Sequence, residues 1–277
     1  MRSVSVLNHK GGVGKTTFTG CIAQALSLIG FRVLVIDNDS QHNLSTMLGC
    51  GICNPNIRDV YLDLFGNAPK VFLQSIRKTE LDNLHIVPSC SELCADDVKD
   101  IFALKNILSS CGLERFYDFL LIDNAPGLDK LQISSVYACC EIFVPIELKQ
   151  FAVDGIVEME KKLASEHPNG AKITKIIPNF YKNTIRQNSF LLALQKLFPE
   201  KVVQTPIPYD SVFDELITEN KILFLHRLAS RAAAYYIKLV HELFEKSEED
   251  LWNTIKKKRD ERRSEEAKER FFNKNKY

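Results

Sequence analysis

Apolar residues in this chain gather in short runs of four or five residues, and polar residues interrupt few of these runs. Val, Ile and Leu dominate them. Runs of this kind are typical of strands that are buried on both faces, as in a parallel sheet. The seven predicted strands span residues 4–7, 33–36, 84–87, 119–122, 142–146, 173–177 and 201–205.

Helical patterns lie between these runs, for example at residues 16–28 and 189–197. This alternation predicts an α/β fold that is doubly wound, with a mostly parallel sheet and helices on both of its faces. No internal repeat or low-complexity linker interrupts residues 1–245. We therefore expect one domain over that range.

The composition changes after residue 245. Residues 246–277 contain 11 Lys or Arg, 8 Asp or Glu and few apolar residues. Opposite charges recur four residues apart, as at Lys257 and Glu261, which places them on one helix face. The pattern predicts a charged helical extension. Its role stays open between a solvated helix, which is the default, and a basic arm.

The net charge of the 277 residues is +1, so any basic surface for nucleic acid must be local. No run of 18 apolar residues predicts a membrane-spanning helix. The first apolar stretch is too short for a signal peptide. We expect a cytoplasmic protein.

Eight cysteines are spread along the chain. Cys50 and Cys53, and likewise Cys90 and Cys94, have spacings that are compatible with zinc or an iron–sulfur cluster. No histidine is spaced to complete a zinc finger. The favoured interpretation is reduced thiols that pack as small apolar residues, with a metal site as the alternative.

A glycine-rich segment follows the first predicted strand directly. Residues 9–17 read His-Lys-Gly-Gly-Val-Gly-Lys-Thr-Thr, which fits a phosphate-binding loop except that His9 replaces the first glycine and Lys10 is an additional cation. Backbone N–H groups would wrap the phosphates, Lys15 would reach the β- and γ-phosphates, and the Thr16 hydroxyl would bind Mg²⁺. The predicted nucleotide-binding residues here are Gly11, Gly12, Val13, Gly14, Lys15, Thr16 and Thr17.

Two aspartates each end an apolar strand. Asp37 ends the second run and Asp123 ends the fourth. Aspartate is a frequent helix cap after a strand, but ligands of open α/β sheets bind beyond the carboxyl ends of the strands. We therefore predict that Asp37 and Asp123 support Mg²⁺ together with Thr16.

These segments resemble the deviant Walker motifs of the ParA/MinD ATPases. Residues 33–43 are similar to the family's strand followed by Asp-x-Asp-Pro-Gln, although Ser40 replaces the proline. Residues 117–127 are similar to its Asp-x-Pro motif, with Asn124 and Ala125 as a departure from the commonest form. Residues 144–155 resemble its Val-Pro and Ala-x-x-Gly segment. The resemblance spans residues 1–245 and looks closest to the ParA/Soj partition ATPases.

The resemblance implies an ATP- and Mg²⁺-dependent homodimer with slow intrinsic ATP hydrolysis. Lys10 would reach the nucleotide of the other subunit, Lys15 would hold the phosphates, and Asp39 would position the attacking water. The family also implies plasmid or chromosome partition. In that role the ATP-bound dimer is nucleoid-associated, binds double-stranded DNA without sequence preference, and is stimulated by a ParB-like activator on the cargo.

Contacts to adenine and DNA are expected late in the chain. By the resemblance, Asn179 and Pro206 lie in the segments that hold the base, although Asn179 is equally compatible with a turn after Pro178. The candidate DNA-binding residues are Lys182, Arg186, Lys221, Arg227, Arg231 and Lys238.

Two other functions remain as alternatives. The first is a MinD-like positioning ATPase on a membrane, which requires a C-terminal helix with a continuous apolar face. The tail has no apolar residue between Ile255 and Ala267, so we expect no membrane partner. The second is a regulator that binds nucleotide without hydrolysing it.

Overall fold

We describe residues 1–63, 66–213 and 222–274 of a computed structural model, with side chains up to residue 268. Within these ranges the strands are β1 (Arg2–Val6), β2 (Val33–Asn38), β3 (Arg77–Lys78), β4 (Leu84–Val87), β5 (Phe119–Asn124), β6 (Glu141–Glu147) and β7 (Lys172–Asn179). The α-helices there are α1 (Lys15–Leu28), α2 (Asn43–Met47), α3 (Ile57–Leu62), α4 (Ala68–Ser75), α5 (Ala103–Ser110), α6 (Lys130–Ala138), α7 (Ala152–Glu166), α8 (Ile185–Leu197), α9 (Leu223–His226), α10 (Arg231–Phe244) and α11 (Glu248–Lys274).

The strands form one sheet in the order β3-β4-β2-β5-β1-β6-β7. Every neighbouring pair is parallel except β3 and β4. The chain starts at a central strand, winds to one edge, and then returns to build the other edge. This topology confirms the predicted doubly wound α/β fold.

Alternate residues of each central strand enter cores on opposite faces of the sheet. In β2, Val33 and Val35 pack in the core that contains α1 and α10, whereas Leu34 and Ile36 pack in the core formed with α3, α4 and α5. A third core joins β6 and β7 to α7 and α8. Because both faces are covered, the strands are apolar throughout rather than alternating.

The prediction of a strand at residues 201–205 is wrong. Val202 forms only an isolated parallel bridge with Ile176 at the sheet edge, and the chain then turns away. Pro206 follows at once and supplies no backbone N–H for a longer ladder. Strand β3 was missed because it has two residues, Arg77 and Lys78, and no apolar run.

Helix α11 confirms the predicted charged helical extension. Its first turns are anchored, since Leu251 and Ile255 are buried in the core beside α1, α9 and α10. Beyond them the helix is mostly exposed, and Arg262 pairs with Glu266 and also with Glu80 of the body. None of the helices in the described ranges has the length and apolarity needed to cross a membrane.

Removing the side chain of Ile255 tests how firmly α11 is anchored. Ile255 is fully buried, and deleting buried methyl groups of this size costs about 2–5 kcal/mol. We expect Ile255→Ala to lower the free energy of unfolding by that amount in urea denaturation. The exposed neighbour Lys256 provides the control, and Lys256→Ala should change stability by less than about 0.5 kcal/mol. Equal stability of the two variants would mean that α11 is not part of the cooperative fold.

Candidate nucleotide and magnesium site

The register of β2 and β5 places the predicted acidic residues together. Asp37 lies directly opposite Asp123, and Asn38 lies opposite Asn124. Strand β1 pairs on the other side of β5, where Val6 is opposite Asp123. The phosphate-binding loop therefore starts beside both aspartates, at the carboxyl edge of the sheet.

Lys15 is buried at this edge. Its Nζ atom donates to the backbone oxygens of Asn8 at 3.3 Å and of Lys10 at 3.2 Å. Burial lowers the pKa of Lys15, and the nearby Asp123 and Asp39 carboxylates oppose that shift. The ammonium is thus held by weak carbonyl partners, in a loop whose fold suits phosphate oxygens.

Two hydroxyls of α1 bind Asp123. Thr16 Oγ1 donates to Asp123 Oδ2 at 2.7 Å, and Thr19 Oγ1 donates to Oδ1 at 3.2 Å. The two threonines lie almost one turn apart, so they share one face of the helix. Thr16 and Asp123 are therefore in contact, as a shared magnesium site requires.

Asp37 and Asp39 have different surroundings. The Asp37 Oδ2 atom accepts hydrogen bonds from Ser45 N at 2.8 Å and Ser45 Oγ at 2.7 Å. Asp39 Oδ1 accepts from Gln41 N at 2.9 Å, which turns the loop toward α2. Asp37 is therefore fixed from α2, while Asp39 belongs to the loop itself.

Ionisation of the two buried aspartates, Asp37 and Asp123, is unfavourable. Burial raises the pKa of Asp37 to about 7, and burial together with the Asp37 charge raises the pKa of Asp123 to about 8. A cation would remove this cost, and oxygen ligands from hydroxyl and carboxylate groups suit Mg²⁺. Magnesium sites in nucleotide enzymes commonly use one or two carboxylates, with phosphates and waters as the other ligands. The residues present therefore fit Mg²⁺ bound together with a nucleotide.

Lys10 is oriented differently from Lys15. Its Nζ atom donates to the backbone oxygen of Phe151 at 3.3 Å, on the segment before α7. Phe151 itself is 65% exposed. The loop and this segment line a cavity of about 410 Å³. In that cavity the His9 ring leaves so little space that a Cβ atom on Gly155 would lie 3.0 Å from it. The Ala-x-x-Gly segment thus supports the loop from the side of Lys10.

The segments predicted to hold adenine lie next to each other and next to the loop. Asn179 Nδ2 donates to Val13 O at 2.9 Å, and Ile207 N donates to Pro178 O at 2.8 Å, which brings Pro206 beside the end of β7. Gly14 has a positive φ of 85°, and a Cβ atom there would lie 2.2 Å from Asn179 Nδ2. A side chain at position 14 would therefore collide with Asn179. Base recognition by Asn179 and Pro206 stays a prediction, as does the role of Thr17.

The candidate DNA-binding cations are only partly grouped. Lys182 Nζ lies 4.2 Å from the centre of the Tyr209 ring, and Arg186 lies in the first turn of α8. Asp210 accepts from the backbone of Ala232, which joins this region to Arg231 at the start of α10. Lys238 is almost two turns further along α10. The remaining two candidates are Arg227, at the end of α9, and Lys221, which lies outside the described residues.

Several residues of the site lie outside the motifs that the sequence analysis used. Ser45 is the double donor to Asp37, and Thr19 is the second donor to Asp123. Asn8 fixes the loop start, since its Nδ2 donates to Pro145 O at 2.8 Å. Thr19 lies three residues after Thr16 on a predicted helix, which places both on one helix face. That spacing would have indicated Thr19. Nothing in the sequence indicates Ser45, because its partner lies eight residues earlier on a strand.

The cysteine spacings do not converge on a metal site in the described residues. There, no group of three or more His, Cys, Asp or Glu side chains is arranged to hold an ion. The described structure leaves all eight cysteines as free thiols, of which Cys21, Cys90 and Cys139 are buried. These three pack as small apolar side chains.

Comparison with known proteins identifies the family. A family model described as an AAA domain matches residues 1–171. The chromosome partitioning protein ParA of Caulobacter vibrioides is 30% identical over 257 residues, covering 88% of this chain and 94% of that protein. The chain belongs to the ParA/MinD family of ATPases. This confirms the resemblance seen in the motifs.

Other members of the ParA/MinD family are similar over the same range. The sporulation initiation inhibitor protein Soj of Bacillus subtilis is 26% identical over 250 residues, covering 87% of this chain and 97% of that protein. The septum site-determining protein MinD of Pyrococcus horikoshii was solved in complex with Mg-ADP. Its structure superimposes with a TM-score of 0.72 at 28% identity, covering 88% of this chain and 96% of that one.

The raised pKa values give a prediction for the metal-free protein. Both folded pKa values lie above the ordinary value of 3.8, so folding favours the protonated forms. The stability that these protonated carboxyl groups contribute is complete below about pH 4, decreases as the pH rises from there, and is fully lost once the pH has passed the folded values of about 7 and 8. We expect the free energy of unfolding in EDTA to fall between about pH 4 and pH 8 and to level off above that range.

The variant Asp123→Asn cannot titrate at this position and provides the comparison. Its stability should fall less steeply, by up to about 1.4 kcal/mol per pH unit for one proton. Urea denaturation at a series of pH values measures both slopes. Identical slopes in the two proteins would show that Asp123 is already ionised in the folded, metal-free state.

Proposed function

We propose that this protein is an ATPase that dimerises with ATP and Mg²⁺ and moves or positions DNA cargo. The observation that carries the proposal is the separation of the two loop lysines. Lys15 is buried inside the loop, whereas Lys10 extends to the half-exposed rim beside Phe151. One lysine thus suits the bound phosphates of its own subunit, and the other suits those of a partner.

In this proposal the loop from Gly11 to Thr17 wraps the phosphates and Lys15 neutralises them. Thr16 and Asp123, already in contact, would hold Mg²⁺ together, and Asp37 would support the site. Bound Mg²⁺ supplies charge neutralisation at the β- and γ-phosphates. The Mg-ADP complex of MinD supports this choice of nucleotide and metal.

Hydrolysis would depend on Asp39 and Lys10. Asp39 lies two residues beyond Asp37 on the loop to α2, where its backbone N–H donates to Asp37 Oδ1 at 3.3 Å. We assign Asp39 to positioning the attacking water. Lys10 of the second subunit would stabilise the charge that develops on the transferred phosphoryl group, as an arginine finger does. Turnover would therefore require the dimer, and a ParB-like activator on the cargo would accelerate it.

DNA binding is proposed for the region around Lys182 and Arg186. These cations lie near the carboxyl edge of the sheet, on the same side of the molecule as the nucleotide site. Two copies in a dimer would double the number of phosphate contacts while the chain as a whole stays nearly neutral. Similarity to the chromosome partitioning protein ParA and to Soj supports partition as the function.

The MinD relative keeps membrane positioning as the second candidate. Against it, Leu251 and Ile255 of α11 are buried in the body and not available to a lipid surface. The described remainder of α11 is charged and exposed along most of its length.

The two lysines should fail in different ways when truncated. Lys15→Ala should weaken ATP binding about 30-fold or more, because losing a buried charge partner costs about 2–5 kcal/mol. Lys10→Ala should leave ATP affinity within about threefold but abolish ATP-dependent dimerisation, because its proposed contact lies in the other subunit. Nucleotide titration and light scattering measure the two effects.

Lys149 provides the matched control for Lys10. It is an exposed lysine of the same neighbourhood, paired with Glu147 at 2.7 Å. Lys149→Ala should keep both ATP binding and dimerisation. If Lys10→Ala and Lys15→Ala lose ATP affinity equally, Lys10 acts within its own subunit and the proposed role is wrong.

DNA binding should need ATP, ignore sequence and weaken steeply with salt. Each phosphate contact contributes about 0.9 to the slope of log affinity against log salt. Lys182→Ala or Arg186→Ala should therefore reduce the slope by about two per dimer. Lys105→Ala, which removes an exposed lysine of α5, should leave it unchanged. Fluorescence anisotropy with duplexes of unrelated sequence measures these slopes.

Two controls separate the remaining possibilities. Anionic liposomes in the same assay test the membrane candidate, and ATP-dependent sedimentation with liposomes but no DNA binding would refute the DNA proposal. Truncation after Glu261 tests the tail, because this cut keeps Leu251 and Ile255 and so preserves the packed turns. Reduced DNA affinity with unchanged turnover would identify the tail as a basic arm.

A further inference from the structure

One pair of cysteines lies close to the nucleotide site without taking part in the proposed reaction. Cys50 and Cys53 are both partly buried, and their Sγ atoms are 3.9 Å apart. A disulfide requires an S–S distance of about 2.05 Å. The two sulfurs must therefore approach by roughly 2 Å, through side-chain rotation and some movement of the intervening loop.

The backbone of Cys50 is connected to the proposed magnesium site through one residue. Cys50 N donates to Ser45 O at 2.8 Å. Ser45 in turn donates from both N and Oγ to Asp37 Oδ2, and its Oγ accepts from Ser89 N at 3.1 Å. Displacing Cys50 therefore pulls on the residue that orients Asp37.

The Cys53 side of the pair is held more firmly. Arg77 Nη2 donates to the backbone oxygens of Asn54 at 3.0 Å and Pro55 at 3.2 Å. Asn56 then caps α3 through reciprocal hydrogen bonds with the first turn. Between the cysteines, Gly51 and Ile52 are exposed. The approach of the two sulfurs should thus move residues 48–52 rather than residues 54–57.

We propose that Cys50 and Cys53 form a reversible disulfide that slows nucleotide turnover by displacing Ser45 from Asp37. This inference rests on the proposed ATPase function for its effect, but not for the bond itself. The oxidant is a small-molecule or protein disulfide. The thiol–disulfide balance of the cell would then determine whether the bond forms, and so whether Ser45 keeps its hydrogen bonds to Asp37.

The exchange has two steps and balances in atoms and electrons. The Cys53 thiolate attacks one sulfur of the oxidant, forming a mixed disulfide and releasing the first thiol. Cys50 then transfers its proton to the departing half of the oxidant as its sulfur attacks the Cys53 sulfur, which forms the internal disulfide and releases the second thiol. Burial raises the pKa of Cys50 to about 12, and the neighbouring Cys53 adds to the shift. Cys50 is therefore the second sulfur to react.

The test uses the full chain, first reduced and then equilibrated with glutathione disulfide. Peptide mapping by mass spectrometry should find a Cys50–Cys53 bond. ATP turnover should fall about tenfold, the usual effect of losing a partner of a metal ligand, and dithiothreitol should restore it. Hydrogen exchange at the Ser45 amide should be faster in the oxidised protein.

Two variants sharpen the result. Cys53→Ser should keep full turnover with or without the oxidant, because one thiol cannot close the bond. Cys111→Ser removes a partly buried thiol from a different core and should stay as sensitive as the wild type. Inhibition that persists in Cys53→Ser would overturn the proposal. Absence of the bond in the folded, oxidised protein would overturn it as well.

Failure of the two proposals can be told apart. A reduced wild-type protein without ATP turnover would refute the ATPase proposal alone. In that case the peptide map and the exchange rate of the Ser45 amide still test the disulfide proposal. A Cys50–Cys53 bond that leaves both Ser45 exchange and turnover unchanged would refute the link to Asp37.

Discussion

Two carboxyl groups, Asp37 and Asp123, lie opposite each other on a pair of buried strands, and the cost of burying their charges constrains the carboxyl edge of the sheet. Without a cation, burial raises the pKa of Asp37 to about 7, and burial together with the Asp37 charge raises the pKa of Asp123 to about 8. The surrounding hydroxyls of Thr16, Thr19 and Ser45 soften this cost without removing it. The edge is therefore built for a positive ligand.

The two lysines of the loop have different electrostatic surroundings. Lys15 is close enough to Asp123 and Asp39 to be influenced by both, so it is part of the buried charge cluster. Lys10 is held at the rim by a backbone oxygen, a contact that is weak enough to exchange for a phosphate. The two lysines of one loop thus differ in burial and in the groups that surround their ammonium groups. The ammonium of Lys15 is buried, and that of Lys10 is accessible.

Much of this arrangement could be predicted from the sequence. Continuous apolar runs indicate parallel strands, and the carboxyl ends of such strands indicate the edge of the sheet where ligands bind. That logic located Asp37 and Asp123, the glycine-rich motif located Lys15 and Thr16, and the two together predicted one site. It failed at residues 201–205, where an apolar pair looks like a strand but proline limits the pairing to one bridge. It also had no access to Ser45, since a contact between a strand residue and a short helix depends on how the connecting loop folds.

The position of β1 has a consequence for the order in which the protein can fold. Strand β1 lies between β5 and β6, whose residues come more than 100 positions later in the chain. Contacts of such long sequence separation form slowly, because the loops between them must first be closed. A nascent chain that carries the complete phosphate-binding loop still lacks Asp123 until β5 has emerged. Strand β1 and the loop after it therefore gain their neighbours β5 and β6 only late in synthesis, whereas β2, β3 and β4 can pair with one another earlier.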